Sequence, residues 1–265
     1  MSNVSTLRST VRPSPVFLFV LGLFALSGVA LWKYGANVAY TGRLLLFAFV
    51  VSGWIVSLCL HEFGHAFFAW RSGDHSVATN GYLTLNPMKY GDITLSFVLP
   101  VLFLLLGGIG LPGGAVYIDR SAIRGKIRHS LISAAGPIAN LAFAVVLGVV
   151  ISDFATSIDH ALFWTGTAFL AFLQVTAAVL NLLPIPGLDG FGIVEPYLPR
   201  AWVEQAGKIG GYAFMALLAL LWIPAVNEKF FSIVYHLTDA LGIDQNLVSV
   251  GYALFRFWQS ANLTG

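Results

Sequence analysis

Six stretches of the chain are almost free of polar side chains: 15–32, 44–60, 93–111, 130–151, 162–183 and 209–226. Each is close to the ~20 residues a helix needs to cross ~30 Å of hydrocarbon. The pattern therefore predicts helices set in a bilayer. The longest polar interval, 73–92, contains the stretch VATNGYLTL, in which Asn80-Gly81 is flanked by Val77, Tyr82, Leu83 and Leu85. Asn-Gly between short β-prone runs predicts a hairpin over 77–85, because both turn residues must tolerate positive φ. An irregular loop is the alternative.

Composition agrees with the pattern. The 265-residue chain is 57% hydrophobic and 10% charged, against roughly 25% charged in an ordinary soluble domain. A net charge of +2, with no concentrated basic face, argues against a nucleic-acid partner. The single cysteine, Cys59, excludes an internal disulfide and a thiolate metal cluster; it reads as a small buried hydrophobe. The first apolar run is longer than the core of a typical signal peptide and reads as a retained anchor. No internal repeat is visible, and no polar stretch is long enough to hold an appended globular domain.

Against this background the residues HEFGH, 61–65, stand out at the inner end of an apolar run. Polar and ionisable groups in hydrocarbon are costly, and they mark functional sites. Residues four apart share one helix face, so His61 and His65 can present imidazole nitrogens to one cation. Glu62 lies one residue on, within reach of a water held there. This is the zinc-hydrolase pattern of two ligands and a general base. A chance match is expected on the order of 0.002 times in a chain with this His and Glu content. The alternative is a pair of core histidines bonded to backbone. His75, His129, His160 and His236 fall in polar loops or near run ends and read as solvated.

A catalytic zinc site commonly uses three protein ligands. The best candidate for the third is Asp189, in NLLPIPGLDG, residues 181–190. Pro184 and Pro186 end the preceding helix, while Gly187 and Gly190 let the chain bend back; an ordinary Asp-Gly turn is the competing reading.

Three motifs in this order, HEFGH, AAGPIAN (134–140) and NLLPIPGLDG, resemble the site-2 protease family of intramembrane zinc metalloproteases. LTLNPMKYGD (83–92) is similar to the segment that follows the His-Glu motif there. The resemblance spans roughly Arg43 to Arg200 and shows no PDZ or CBS module. It implies that His61, His65 and Asp189 bind Zn2+, that Glu62 is the catalytic base, and that Asn181 helps hold the substrate or its oxyanion. Asn140 would belong to the structural core beside the site. The implied reaction is hydrolysis of peptide bonds in or near transmembrane segments of membrane-protein substrates.

Topology can be derived separately. For His61, His65 and Asp189 to meet, the helices that lead to them must run the same way, so an odd number of crossings separates them. Two apolar runs lie between. Rich in Pro and Gly, 93–111 is the one expected to re-enter rather than cross. The Lys and Arg up to Lys229 then divide ten inside to three outside, as the positive-inside rule requires. The expected fold is an all-α polytopic membrane protein with about five transmembrane helices, a re-entrant segment and the short β-hairpin near the active site. Its divisions are 1–43, tail and first anchor; 44–200, metalloprotease core; and 201–265, a transmembrane helix followed by interfacial helices. The amino terminus is expected in the cytoplasm, with the active site opening toward it. Two rival functions stay open: a divalent-metal transporter, which has no use for Glu62 as a base, and an inactive scaffold that binds membrane helices.

Overall fold

A computed structural model describes residues 11–35, 37–90, 116–155 and 158–259. Its helices are α1 (Pro15–Tyr34), α2 (Tyr40–Ser72), α3 (Ser76–Thr79), α4 (Lys126–Phe154), α5 (Ala161–Asn181), α6 (Asp189–Val194), α7 (Arg200–Leu220), α8 (Pro224–Ala240) and α9 (Gln245–Phe255). Four of them, α1, α2, α4 and α5, are long and apolar enough to cross a membrane, with a fifth span if α7 and α8 count as one bent element. The chain is a multi-pass membrane protein. The expected re-entrant segment, 93–111, lies outside the described residues.

Local chemistry sets the helix ends. Ser14 caps α1 by accepting the Phe17 N–H at 3.1 Å, and Pro15 at the first position has no N–H to leave unpaired. At 33 residues, α2 is about 50 Å long, so it outruns the hydrocarbon and projects beyond it. The run 209–226 does not form one straight helix. Pro224 cannot continue α7 and instead opens α8, and the two are bent by 93°. Asn227 Nδ2 secures the break by donating to the Leu221 carbonyl at 3.0 Å.

Burial ranks the spans. The apolar stretch of α5 is 89% buried, against 61% for α2, 44% for α4 and 22% for α1. The central helix is therefore α5, with α2, α4 and α9 against it and α1 leaning on α2. Leu46, Phe49, Trp54, Phe169, Leu173 and Phe255 belong to the main core. Lipid offers no hydrophobic drive between helices, so close van der Waals fit holds this bundle together. At Gly64 the fit is close: a Cβ there would meet the Ala135 carbonyl oxygen at 3.0 Å. The HEFGH turn and the AAGPIAN turn are thus in backbone contact.

The hairpin over 77–85 is not formed, and no strand occurs among the described residues. Asn80 is right-handed, φ −74° and ψ −9°; of the two turn residues Gly81 alone takes positive φ, at 81°, and Leu85 at the end of the segment takes 56°. Asp74, buried, accepts the Ser76 N–H at 2.9 Å and the Asp119 N–H at 2.8 Å. That cap starts a helical turn where the hairpin needed an extended strand. Val77 and Leu83 then bury in the cluster that holds Ala66 and Ala69 of α2. The apolar spacing recorded burial under a helix end.

Candidate metal centre

One face of α2 carries Ser57, His61 and His65, each one turn from the next. His61, Glu62 and His65 are all buried. Past the end of α5 the chain turns through Leu183–Leu188, and Asp189 opens α6. His61 Nε2 and His65 Nε2 are 3.1 Å apart. Asp189 Oδ2 lies 3.2 Å from the first and Oδ1 lies 3.3 Å from the second. The three residues offer ligand atoms within 4.8 Å of one another. The other four histidines stay outside this group; His129 faces the Ile123 carbonyl and His160 the Trp32 carbonyl.

The three groups are close enough to share one cation. Ligand bonds of ~2.0–2.1 Å imply tetrahedral ligand-to-ligand edges of about 3.3 Å; the Nε2–Nε2 separation of 3.1 Å is near this, while Asp189 sets a different oxygen against each imidazole. Hydrogen bonding points the same way. His65 Nδ1 faces the Ile132 carbonyl oxygen at 2.7 Å, and His61 Nδ1 faces Asn140 Oδ1. Both partners accept, so both Nδ1 atoms carry hydrogen and both Nε2 atoms turn lone pairs inward. Two such nitrogens and a carboxylate are a set that could hold one metal ion.

Space for the ion comes from Gly136. A Cβ at this position would run into His61 Nε2 and His65 Nε2. The AAGPIAN stretch was picked out in the sequence, yet nothing there assigns this role to Gly136, because the contact is made by another helix. Glu62 interacts electrostatically with His61, His65 and Asp189 and accepts the Val116 backbone N–H. Asn181 is buried at the last residue of α5. Two further buried groups, Ser57 and Gln174, are joined to Asn140. The only signal for them in the sequence is spacing: Ser57 is four residues before His61, and Gln174 seven before Asn181.

Fold and site together define a multi-pass membrane protein with a candidate metal centre between its helices. No protein-family model and no solved structure matches the chain. Named relatives do match. The protein called "Putative zinc metalloprotease Rip2" in Mycolicibacterium smegmatis is 48% identical over 258 residues, covering 97% of this chain and 99% of the relative. Its namesake in Mycobacterium tuberculosis is 50% identical over 254 residues, covering 95% and 96%. The similarly named YwhC of Bacillus subtilis is 30% identical over 219 residues, covering 72% and 94%. The chain belongs to the site-2 protease family, with Rip2 and YwhC among its relatives.

Proposed function

We propose that the chain is a zinc-dependent intramembrane endopeptidase that hydrolyses peptide bonds in or near transmembrane segments of membrane proteins. One observation carries the reading: His61 and His65, on a helix long enough to cross the bilayer, converge with Asp189 beside the buried Glu62. The relatives' names add support for zinc and for proteolysis.

In this reading His61, His65 and Asp189 hold the zinc, which when bound supplies the positive charge that makes a water acidic near neutral pH. Glu62 accepts the proton of the attacking water and returns it to the nitrogen of the departing chain. The Asn181 side-chain amide donates to the oxyanion that develops on the scissile carbonyl. Asn140 and the Ile132 carbonyl keep both imidazoles oriented throughout. A substrate helix must unwind before its peptide group can be reached.

The amino terminus lies in the cytoplasm and the site opens to that side. His65 is six residues from Arg71, about 9 Å along the helix, which sets the site roughly 10–15 Å below the interface. Single cysteines at Ser72 and Ser121, in a Cys59→Ala background, should both react with an impermeant reagent from the cytoplasmic side. Labelling from opposite sides would overturn this orientation.

The test of the chemistry is Glu62→Gln. The variant keeps the side chain's size and both imidazoles, so zinc content should match the wild type. Peptide hydrolysis should drop by at least ~10²–10⁴-fold, the usual share of a general base. Cleavage above about a tenth of the wild-type rate would remove Glu62 from that role.

A further inference from the structure

We propose that Gln174 is a positioning residue for the metal centre. Its side-chain oxygen ends a buried hydrogen-bond chain that decides which nitrogen His61 turns toward the ion. The inference rests on the reading of His61 as a ligand.

Gln174 sits in the middle of α5 and is fully buried. Asn140 Nδ2 donates to its Oε1 at 2.9 Å, and the Ser57 hydroxyl points to the same oxygen. Asn140 Nδ2 also lies 3.3 Å from Ser57 Oγ. The opposite end of the Asn140 amide, Oδ1, faces His61 Nδ1. Three helices therefore contribute to one polar layer on the side of the centre away from His65: Ser57 from α2, Asn140 from α4 and Gln174 from α5.

Polarity runs through this layer in one direction. An amide oxygen only accepts and an amide NH₂ only donates. With Gln174 Oε1 against it, Asn140 must turn its NH₂ toward α5 and its oxygen toward His61. His61 then carries hydrogen on Nδ1 and offers Nε2 to the ion. If both amides are reversed, the Asn140 NH₂ meets Nδ1, the hydrogen moves to Nε2, and the ligand position is blocked. The two amides are coupled, and Gln174 Nε2 has no hydrogen-bond partner. What the layer uses is the oxygen alone.

This distinguishes positioning from space filling in an uncommon way. If Gln174 only fills volume in an apolar helix, Leu should replace it well and Glu badly. If its oxygen orients Asn140, the order is reversed. The experiment uses the full-length protein purified in detergent, with the zinc dissociation constant measured by competition against a chromogenic chelator. Gln174→Leu should weaken zinc binding roughly 10–100-fold, as loss of a ligand-orienting partner does. Gln174→Glu, which keeps an acceptor facing Asn140, should stay close to the wild-type constant.

Wild-type affinity in Gln174→Leu overturns the proposal, and so does loss of zinc from a folded Gln174→Glu. If the Leu variant does not fold, the Glu variant decides alone: retained affinity upholds the assignment. Absence of zinc from the wild type would sink the metalloprotease reading and this inference with it. Wild-type zinc with an unaffected Gln174→Leu would sink this inference only.

Discussion

Two carboxylates near the short helix α6 meet nitrogen partners, and the two meetings differ in kind. Glu195, just after α6, holds Arg120 at 2.6 Å, with side chains 20% and 49% exposed. Asp189, at its start, holds His61 and His65 at 3.2 and 3.3 Å, where the imidazoles are 8% and 9% exposed. The shorter contact is the weaker one. Water serves Arg120 and Glu195 almost as well as they serve each other, so an exposed pair of this type contributes ~0–1 kcal/mol. In the cluster the carboxylate is 22% exposed but both imidazoles are buried, so removing Asp189 leaves two buried nitrogens without their partner. Surroundings rank these contacts, and distance does not.

That contrast can be broken from the buried side first. Asp189→Ala removes the one carboxylate among the three proposed ligands. The expected outcome is a folded protein with little bound zinc and no measurable cleavage, read by metal analysis and by a membrane-substrate assay. Zinc at the wild-type level would take Asp189 out of the ligand set.

Gly136→Ala should come next. The added methyl group enters the space between the two Nε2 atoms, so α4 must shift away from α2 or the ion must leave. Zinc affinity is expected to fall roughly tenfold or more, within the range seen when a ligand's support is disturbed. Unchanged affinity would mean that the helices part easily at Gly64 and Ala135, and that the site tolerates looseness there.

The smallest effect belongs to Arg120→Ala. Thermal unfolding should shift by the equivalent of no more than about 1 kcal/mol, with zinc content unchanged. A large loss of zinc in this variant would join the two regions energetically. Asp189 would then depend on Glu195 for its placement, and the contrast drawn above would fail.

Much of the site could be read from the chain because helix periodicity is a local property. His61, Glu62 and His65 are set by a spacing of four, and that spacing holds wherever the helix is placed. Asp189 was legible because Pro184 and Pro186 must stop a helix just before it. The 77–85 segment was misread for the opposite reason. Asn80-Gly81 permits a hairpin, but Asp74 caps a helical turn upstream, Asp119 binds that same carboxylate from a distant segment, and Thr84 gives its carbonyl to Ser14 at 2.8 Å. A turn with several accessible conformations adopts the one its neighbours stabilise.

By itself the sequence determined the solvent and suggested the chemistry. Transfer to hydrocarbon is a sum over residues, so six apolar runs were enough to place the chain in a membrane, and a five-residue motif was enough to suggest a metal on α2. Only the tertiary structure decided the contacts that connect helices. Gly136 leaves the room for an ion, Asn140 and the Ile132 carbonyl orient the imidazoles, Val116 reaches Glu62, and Gln174 terminates the polar layer. None of these roles follows from a residue's own neighbours in the chain. Each is a property of two or three helix faces meeting at one height in the bilayer, which side-chain fit between whole helices fixes and no local spacing encodes.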